Sequence, residues 1–111
     1  MRLVDPASGR VLVDAAVARG FADRSVGLLG STGLPPGRGL MLRTHQVHTI
    51  GMVFPIDVVY LSRQGEVLRV GTLKPGRIGP LVFRAAWVLE LAKGEAARLG
   101  LWPGRRIVLD R

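Results

Sequence analysis

The sequence contains no cysteine, and this absence excludes several kinds of site at once. Disulfide frameworks, thiolate zinc sites and cysteine nucleophiles all need the missing side chain. No apolar run approaches the stretch of about 20 residues that a membrane span requires, because Gly, Pro or Arg interrupts each of them. Residues 1–6 show no start of a signal peptide. We therefore expect a soluble, cytoplasmic protein.

Acidic residues are also scarce. The 111 residues include 8 Asp and Glu against 16 Lys and Arg, which gives a formal net charge of +8. Nearly all of the cations are arginine, whose planar guanidinium suits phosphate and carboxylate groups, so the composition favours anionic partners. The same composition also arises where arginine is simply the ordinary surface cation. Both explanations stay open at the level of composition.

Turn-forming residues divide the chain into short segments. The sequence has 15 Gly and 7 Pro, and its hydrophobic content of 48% is typical of a folded globular domain. Short segments between turns favour a mainly β (α+β) fold over a helical bundle. We predict a single domain over residues 1–111, a small compact barrel-like or sandwich-like structure with one or two short helices.

The individual elements follow from the apolar pattern and the turns. Residues 2–4 and 10–13 predict a β-hairpin, and residues 17–21 extend the strand set. Asp23 fits the N-cap of a short helix over 23–29. One or two helical turns are predicted at 94–99. Further strands are predicted at 39–43, 56–61, 66–73, 87–91 and 106–109.

The segment 44–61 holds both histidines, His45 and His48, and an aspartate within an apolar strand. An unpaired buried carboxylate is costly, so Asp57 must be hydrogen-bonded, paired with a charge or directed at a wet pocket. One interpretation pairs Asp57 with His48 as an acid–base pair at a small site. The other makes Asp57 a buried organiser that accepts backbone N–H bonds from the irregular segment 44–55. We favour the second, because buried polar groups more often brace a fold than catalyse a reaction.

Other chemistry finds little support in the sequence. The spacing of His45, His48 and Asp57 matches no compact metal motif, so we predict no metal and no cofactor. The serines lie outside any nucleophile-elbow pattern, and the glycine-rich stretches lack a P-loop lysine. Glu90 is a second carboxylate in an apolar strand. It needs a cationic partner if its face of the sheet is covered and is an ordinary surface charge if that face is open.

Two long stretches of the sequence contain no acidic residue, one between Asp23 and Asp57 and the other between Glu66 and Glu90. If these stretches lie side by side in the fold, they form a positive face suited to phosphate or nucleic acid. The candidates for anion binding within them are Arg43, Arg69, Lys74, Arg77 and Arg84.

An ordered set of short motifs runs across nearly the whole chain. They are Gly27-Leu28-Leu29-Gly30, Gly39-Leu40-Met41-Leu42, residues 48–59 (HTIGMVFPIDVV), Lys74-Pro75-Gly76-Arg77 and Val88-Leu89-Glu90-Leu91. The set resembles the bacterial and archaeal family known as domain of unknown function 192, and residues 48–59 are its most specific match. The resemblance implies a compact, mainly β, barrel-like domain with no established activity. It also implies a candidate site with undetermined roles at His48, Thr49, Met52, Asp57 and Glu90.

Three functions are compatible with these features, in the following order. The first is a non-enzymatic binding module for a small anionic ligand or a protein partner, since no complete catalytic set is present. The second is a small enzyme that uses His48 and Asp57, which requires hydrogen-bond reach between them in a concave site. The third is a nucleic-acid-binding domain with an arginine-rich face. Nucleic-acid binding needs exposed aromatic rings on which bases stack, and we expect the aromatic side chains to lie mostly in the core, which argues against the third function. The aromatic residues are Phe54, Tyr60, Phe83, Trp87 and Trp102.

Overall fold

The structure, a computed structural model, describes residues 1–18 and 34–111. Within these residues the elements are β1 (Arg2–Val4), β2 (Val11–Ala18), β3 (Arg38–Leu42), β4 (Ile56–Leu61), β5 (Val67–Leu73), β6 (Trp87–Ala92), α1 (Glu95–Arg98) and β7 (Val108–Asp110). The predicted helix over 23–29 and the predicted strand residues 19–21 lie outside the described residues. No helix in the described ranges has the length and apolarity needed to cross a membrane.

The strands form one sheet in the order β5-β4-β6-β3-β2-β1-β7. The pairing of β2 with β3 is parallel, whereas the pairs made by β1 with β2 and β7, and by β6 with β3 and β4, are antiparallel. The sheet curls into a compact half-barrel with one short helix. The predicted fold class, mainly β and barrel-like, is therefore confirmed.

The central strand β4 is buried on both faces, because all six of its residues are buried. Successive side chains of a strand point to opposite faces of the sheet, so β4 contributes to two cores. Val59 and Leu61 belong to one apolar cluster together with Leu89 and Leu91. Alternate β4 residues belong to the second cluster, which contains Ile56, Val58, Tyr60 and Val88. A strand covered on both faces explains why 56–61 is a nearly continuous apolar run.

Strand β2 is longer than the predicted hairpin strand, which ended at residue 13. The observed strand runs without interruption through Asp14, Ala15 and Ala16 to Ala18. Asp and Ala have low strand propensity, but β2 pairs with β1 on one side and β3 on the other. Backbone hydrogen bonds from two neighbours outweigh the local preference of these residues.

The predicted core position of the aromatic residues is wrong for two of them. Phe83 is 79% exposed and Trp102 is 62% exposed, whereas Tyr60 and Trp87 are buried and Phe54 is partly buried. Phe83 lies in a turn that ends at Arg84, immediately before the buried Ala85. Trp102 lies outside the strands, with the guanidinium of Arg105 5.7 Å from its ring centroid.

Candidate functional site

Asp57 is a buried acceptor of backbone hydrogen bonds. One carboxylate oxygen accepts the N–H groups of Gly94 and Ala96, each at 3.0 Å, and the other accepts the hydroxyl of Thr72 at 2.8 Å. The interpretation of Asp57 as a buried organiser was right that the carboxylate accepts backbone N–H groups. It was wrong that these N–H groups belong to the segment 44–55. The donors belong to the start of α1. Strand β6 pairs with β4 next to Asp57, and the chain continues from β6 directly into this helix. Among the described residues, none of the hydrogen bonds of Asp57 goes to His48.

Asp57 and Glu90 lie on opposite faces of the sheet. In the pairing of β4 with β6, Asp57 stands opposite Leu91 and Val58 stands opposite Glu90. Residues paired across two strands share a face, and the next residue along each strand points to the other face. The two carboxylates that the family resemblance placed in one candidate site therefore point to different sides of the sheet.

Glu90 is fully buried, so the interpretation of Glu90 as an ordinary surface charge is wrong. No buried side-chain nitrogen or oxygen in the described part of the chain lacks a hydrogen-bond partner. Glu90 acts electrostatically on Tyr60, which lies on the same face of the sheet. Burial raises the pKa of Tyr60 most, Arg69 acts to lower it, and Glu90 raises it further.

Thr49 is fully buried and fastens two loops together. Its hydroxyl donates to the carbonyl of Lys74 at 2.5 Å and accepts the N–H of Arg77 at 2.9 Å. Its backbone N–H donates to the carbonyl of Arg77 at 2.8 Å. Met52 is buried in the second apolar cluster, and Nδ1 of His48 accepts the N–H of Ile50 at 3.2 Å. Thr49 thus holds the two loops together, and Met52 packs this part of the chain against the sheet.

The described parts of the two acid-free stretches lie side by side. The backbone of Gly79 donates to the carbonyl of Val47 at 2.9 Å, and that of Val82 donates to the carbonyl of His45 at 3.0 Å. His48 and Ile78 form an isolated antiparallel bridge between the same two segments. The sequence argument for a positive face required the two acid-free stretches to lie side by side. Residues 45–49 and 77–82 meet this requirement.

A cleft of about 920 Å³ opens beside the N-terminal end of β6. We call it the arginine cleft, because its lining includes Arg43, Arg63, Arg84 and Arg111 and contains no Asp or Glu. The ring of Trp87, which is buried, is in contact with two of these cations. The guanidinium carbon of Arg43 is 5.7 Å from the centroid of its ring, and that of Arg111 is 5.5 Å away. Both distances are those of cation–π contacts.

Among residues 1–18 and 34–111, no ion pair involves the four guanidinium groups of the arginine cleft. The ion pairs formed between described residues are Arg2–Asp110, Arg98–Glu95 and Arg105–Asp5, and none of these involves the cleft. His45 also lines the cleft, with Nδ1 2.5 Å from the carbonyl oxygen of Ala85. A carbonyl oxygen only accepts, so Nδ1 carries the hydrogen in this contact.

The five predicted anion-binding residues separate into two groups. Arg43 and Arg84 line the arginine cleft, whereas Arg69, Lys74 and Arg77 do not. The sequence analysis missed three lining residues as site residues, namely His45, Arg63 and Arg111. For Arg63, the one feature of the sequence that could have indicated a site residue was its position next to the turn-forming pair Gln64-Gly65. In the described ranges, no group of three or more His, Asp or Glu side chains could hold a metal ion.

A family model described as "Uncharacterized ACR, COG1430" matches residues 4–109, nearly the whole chain. The chain belongs to the domain of unknown function 192 family. The resemblance inferred from the ordered motifs is thereby confirmed. No curated protein matches this member of the family.

Two solved structures share the fold of this family member. A protein of unknown function from Novosphingobium aromaticivorans is 22% identical, with a TM-score of 0.72 over 98% of this chain and 93% of that one. A Sinorhizobium meliloti protein described as a "putative transcription regulator" is 26% identical. Its TM-score is 0.71, and the match covers 96% of this chain and 89% of that one.

Proposed function

We propose that this protein is a non-enzymatic binding module that takes a small phosphate- or carboxylate-bearing molecule in the arginine cleft. The observation that carries the proposal is that four arginines line the cleft together with Trp87, and that no Asp or Glu side chain is among the lining residues. Guanidinium groups bind these oxyanions with two parallel hydrogen bonds, which gives both strength and orientation.

The contacts of Trp87 favour binding further. A guanidinium held over an aromatic ring has fewer conformations to lose when a ligand arrives. Arg43 and Arg111 approach the same indole from the end of β3 and from beyond β7, so the ring positions two cations from distant parts of the chain. An anion between them would replace repulsion between like charges with attraction.

A binding function agrees better with the site than an acid–base enzyme does. Catalysis by His48 and Asp57 requires direct or water-mediated contact between the two groups. The carboxylate of Asp57 is instead engaged by Thr72 and by the start of α1, and neither His48 nor Asp57 lines the arginine cleft. A protein partner that presents an acidic side chain would use the same guanidinium chemistry.

Fluorescence titration with inorganic phosphate and with citrate tests the proposal. The protein has two tryptophans, so the Trp102→Phe variant makes emission report on Trp87 alone. We expect binding that Arg43→Gln weakens by roughly tenfold to a hundredfold, because a charge-assisted hydrogen bond is lost. Arg10→Gln removes the same charge from an exposed turn outside the cleft and is the matched control. Absent binding of both anions, or equal weakening in the two variants, would refute the proposal.

Nucleic acid is tested in the same series. The Sinorhizobium meliloti structure is described as a "putative transcription regulator", and exposed Phe83 beside Arg84 offers one stacking surface in the cleft. Anisotropy titrations with single- and double-stranded DNA over a range of salt concentrations measure how many phosphates are neutralised. Tight DNA binding with a steep salt dependence and no affinity for phosphate or citrate would replace the small-anion proposal with the nucleic-acid alternative.

A further inference from the structure

Exposed aliphatic side chains are concentrated on the two loops that Thr49 fastens together. Val53 is 80% exposed, Ile78 is 68% exposed and Ile50 is 55% exposed. Such side chains occur singly on most protein surfaces, but a group of them on adjoining segments marks an interaction site. We call Ile50, Val53 and Ile78, together with the exposed cations Lys74 and Arg77, the apolar–basic face.

The paired loops and the turn that follows carry these exposed side chains. His48 and Ile78 are bridge partners and so lie on the same side of the paired loops. Thr49, the next residue, points to the opposite side, where its hydroxyl reaches the buried carbonyl of Lys74. Ile50 lies in the turn that follows, and its side chain is 55% exposed. The hydrogen bond from Met52 N–H to the Thr49 carbonyl closes this turn, and Val53 lies in the bend that comes after it.

The two segments that carry these apolar residues hold charge of one sign. Residues 44–56 and 67–89 contain no Asp or Glu, and Lys74 and Arg77 are both exposed beside Ile78. A second copy of the chain that presented this same face would bring cations against cations without an acid from either pair of segments. The charge therefore selects an anionic partner, and the exposed aliphatic groups require that this partner also offer an apolar environment.

We propose that the apolar–basic face binds the surface of an anionic lipid bilayer. Ile50, Val53 and Ile78 would enter the boundary between headgroups and acyl chains, while Lys74 and Arg77 stay at the level of the lipid phosphates. Nucleic acid offers the charge but would leave the aliphatic side chains without a counterpart, since bases stack on aromatic rings. None of these five residues lines the arginine cleft, so the inference goes beyond the proposed anion-binding function.

Vesicle co-sedimentation of the full chain tests the inference. One set of vesicles contains phosphatidylcholine alone and the other adds phosphatidylglycerol. We expect binding to the anionic vesicles that weakens as salt is raised, because exposed charges are screened. Replacing Ile50, Val53 and Ile78 together by Ser, or Lys74 and Arg77 together by Gln, should each weaken this binding by roughly tenfold or more.

Matched control variants show whether vesicle binding depends on the apolar–basic face or only on the overall charge and hydrophobicity of the protein. The double variant Val11→Ser with Val108→Ser removes half-exposed aliphatic groups from β2 and β7 and should bind vesicles like the parent protein. Arg10→Gln should do the same. Circular dichroism and thermal unfolding of each variant show whether it is folded. Because Arg43→Gln leaves the face intact, vesicle binding that survives in this variant distinguishes the face from the arginine cleft.

Several outcomes would overturn the inference. They are no binding to phosphatidylglycerol vesicles, equal binding to neutral vesicles, or equal losses in the face and control variants. Stronger binding to polyglutamate or to DNA than to vesicles, lost in the same face variants, would assign the face to an acidic protein or to nucleic acid instead.

Discussion

The carboxylate of Asp57 on β4 accepts the backbone N–H of Ala96 in the first turn of α1 at 3.0 Å. Gly94 precedes this helix in a left-handed conformation, with φ of 90°, and provides no side-chain cap. Asp57 therefore supplies from another strand the acceptor that a local Ser or Asp supplies at most helix starts. Its second oxygen accepts the hydroxyl of Thr72, so one carboxylate joins β4, β5 and α1.

Removing the carboxylate of Asp57 should destabilise the whole domain. We expect Asp57→Ala to lower the free energy of unfolding by about 3 kcal/mol, because it leaves the buried N–H of Ala96, the N–H of Gly94 and the hydroxyl of Thr72 without their acceptor. Asp57→Asn should cost less, since its amide oxygen still accepts. Equilibrium unfolding in urea measures both values. Asp14→Ala removes an exposed carboxylate from β2 and should change the stability by less than about 0.5 kcal/mol. A similar small change in Asp57→Ala would contradict the role of this carboxylate.

Gly65 combines two constraints that a pair of variants can separate. Its φ is +87°, and a Cβ there would lie 2.1 Å from the carbonyl oxygen of Ile107. Gly76 has a φ of +75° and open space where a Cβ would be. Both Ala variants carry a backbone penalty of about 1 kcal/mol, but only Gly65→Ala also forces the backbone at Ile107 to move. We expect thermal unfolding to show a clearly larger loss in Gly65→Ala. Equal losses would mean that φ alone governs both positions.

Elements with strong local patterns could be predicted from the sequence. The strand at 56–61 has the predicted bounds, and the strands at 66–73 and 87–91 differ from β5 and β6 by one residue. These segments are rich in β-branched and apolar residues and end at Gly or Pro turns. The continuation of β2 through Asp14 could not be predicted in this way, because its pairing with β1 and β3 holds it in the sheet.

The candidate site was harder to predict, because sequence distance does not report which face of a sheet a side chain occupies. Asp57 was correctly identified as a buried acceptor, but its donors lie 37 and 39 residues further along the chain. The arginine cleft joins residues 43–45, which follow β3, with residues 63–64 of a turn, residues 83–87 and residues 109 and 111. Its central contacts are those of Arg43 and Arg111 with Trp87. These residues are far apart in the sequence, so the folded sheet is needed to bring them together.

Thr49→Val tests whether the apolar–basic face depends on a buried hydroxyl. The substitution keeps the shape of the side chain but leaves the Arg77 N–H without its acceptor and the Lys74 carbonyl without its donor. We expect a loss of about 2 kcal/mol in the free energy of unfolding. Amide hydrogen exchange at Arg77 should accelerate more than exchange within β4, since the local contact is lost. Thr44→Val, at a partly buried position on the same loop, is the control; unchanged exchange at Arg77 in Thr49→Val would contradict this role.

Glu95 makes part of the stability sensitive to acid. The hydrogen bond from Arg98 is the main cause that lowers the pKa of Glu95, burial opposes it, and the N–H of Gly37 lowers the pKa further. A carboxyl whose pKa falls on folding stabilises the native state at pH values above its ordinary pKa of 4.5. This contribution disappears as the pH falls through the lower pKa of the folded state.

Unfolding in urea at about pH 7 and about pH 3 checks this sign. Glu95→Gln should be less stable than the parent at the higher pH, and the two proteins should approach equal stability at the lower pH. The variant therefore loses less stability on acidification. Glu66→Gln, at a partly buried carboxyl outside this contact, controls for the removal of one negative charge. A parallel loss of stability in the parent and Glu95→Gln would show that the contact between Glu95 and Arg98 does not govern the acid response.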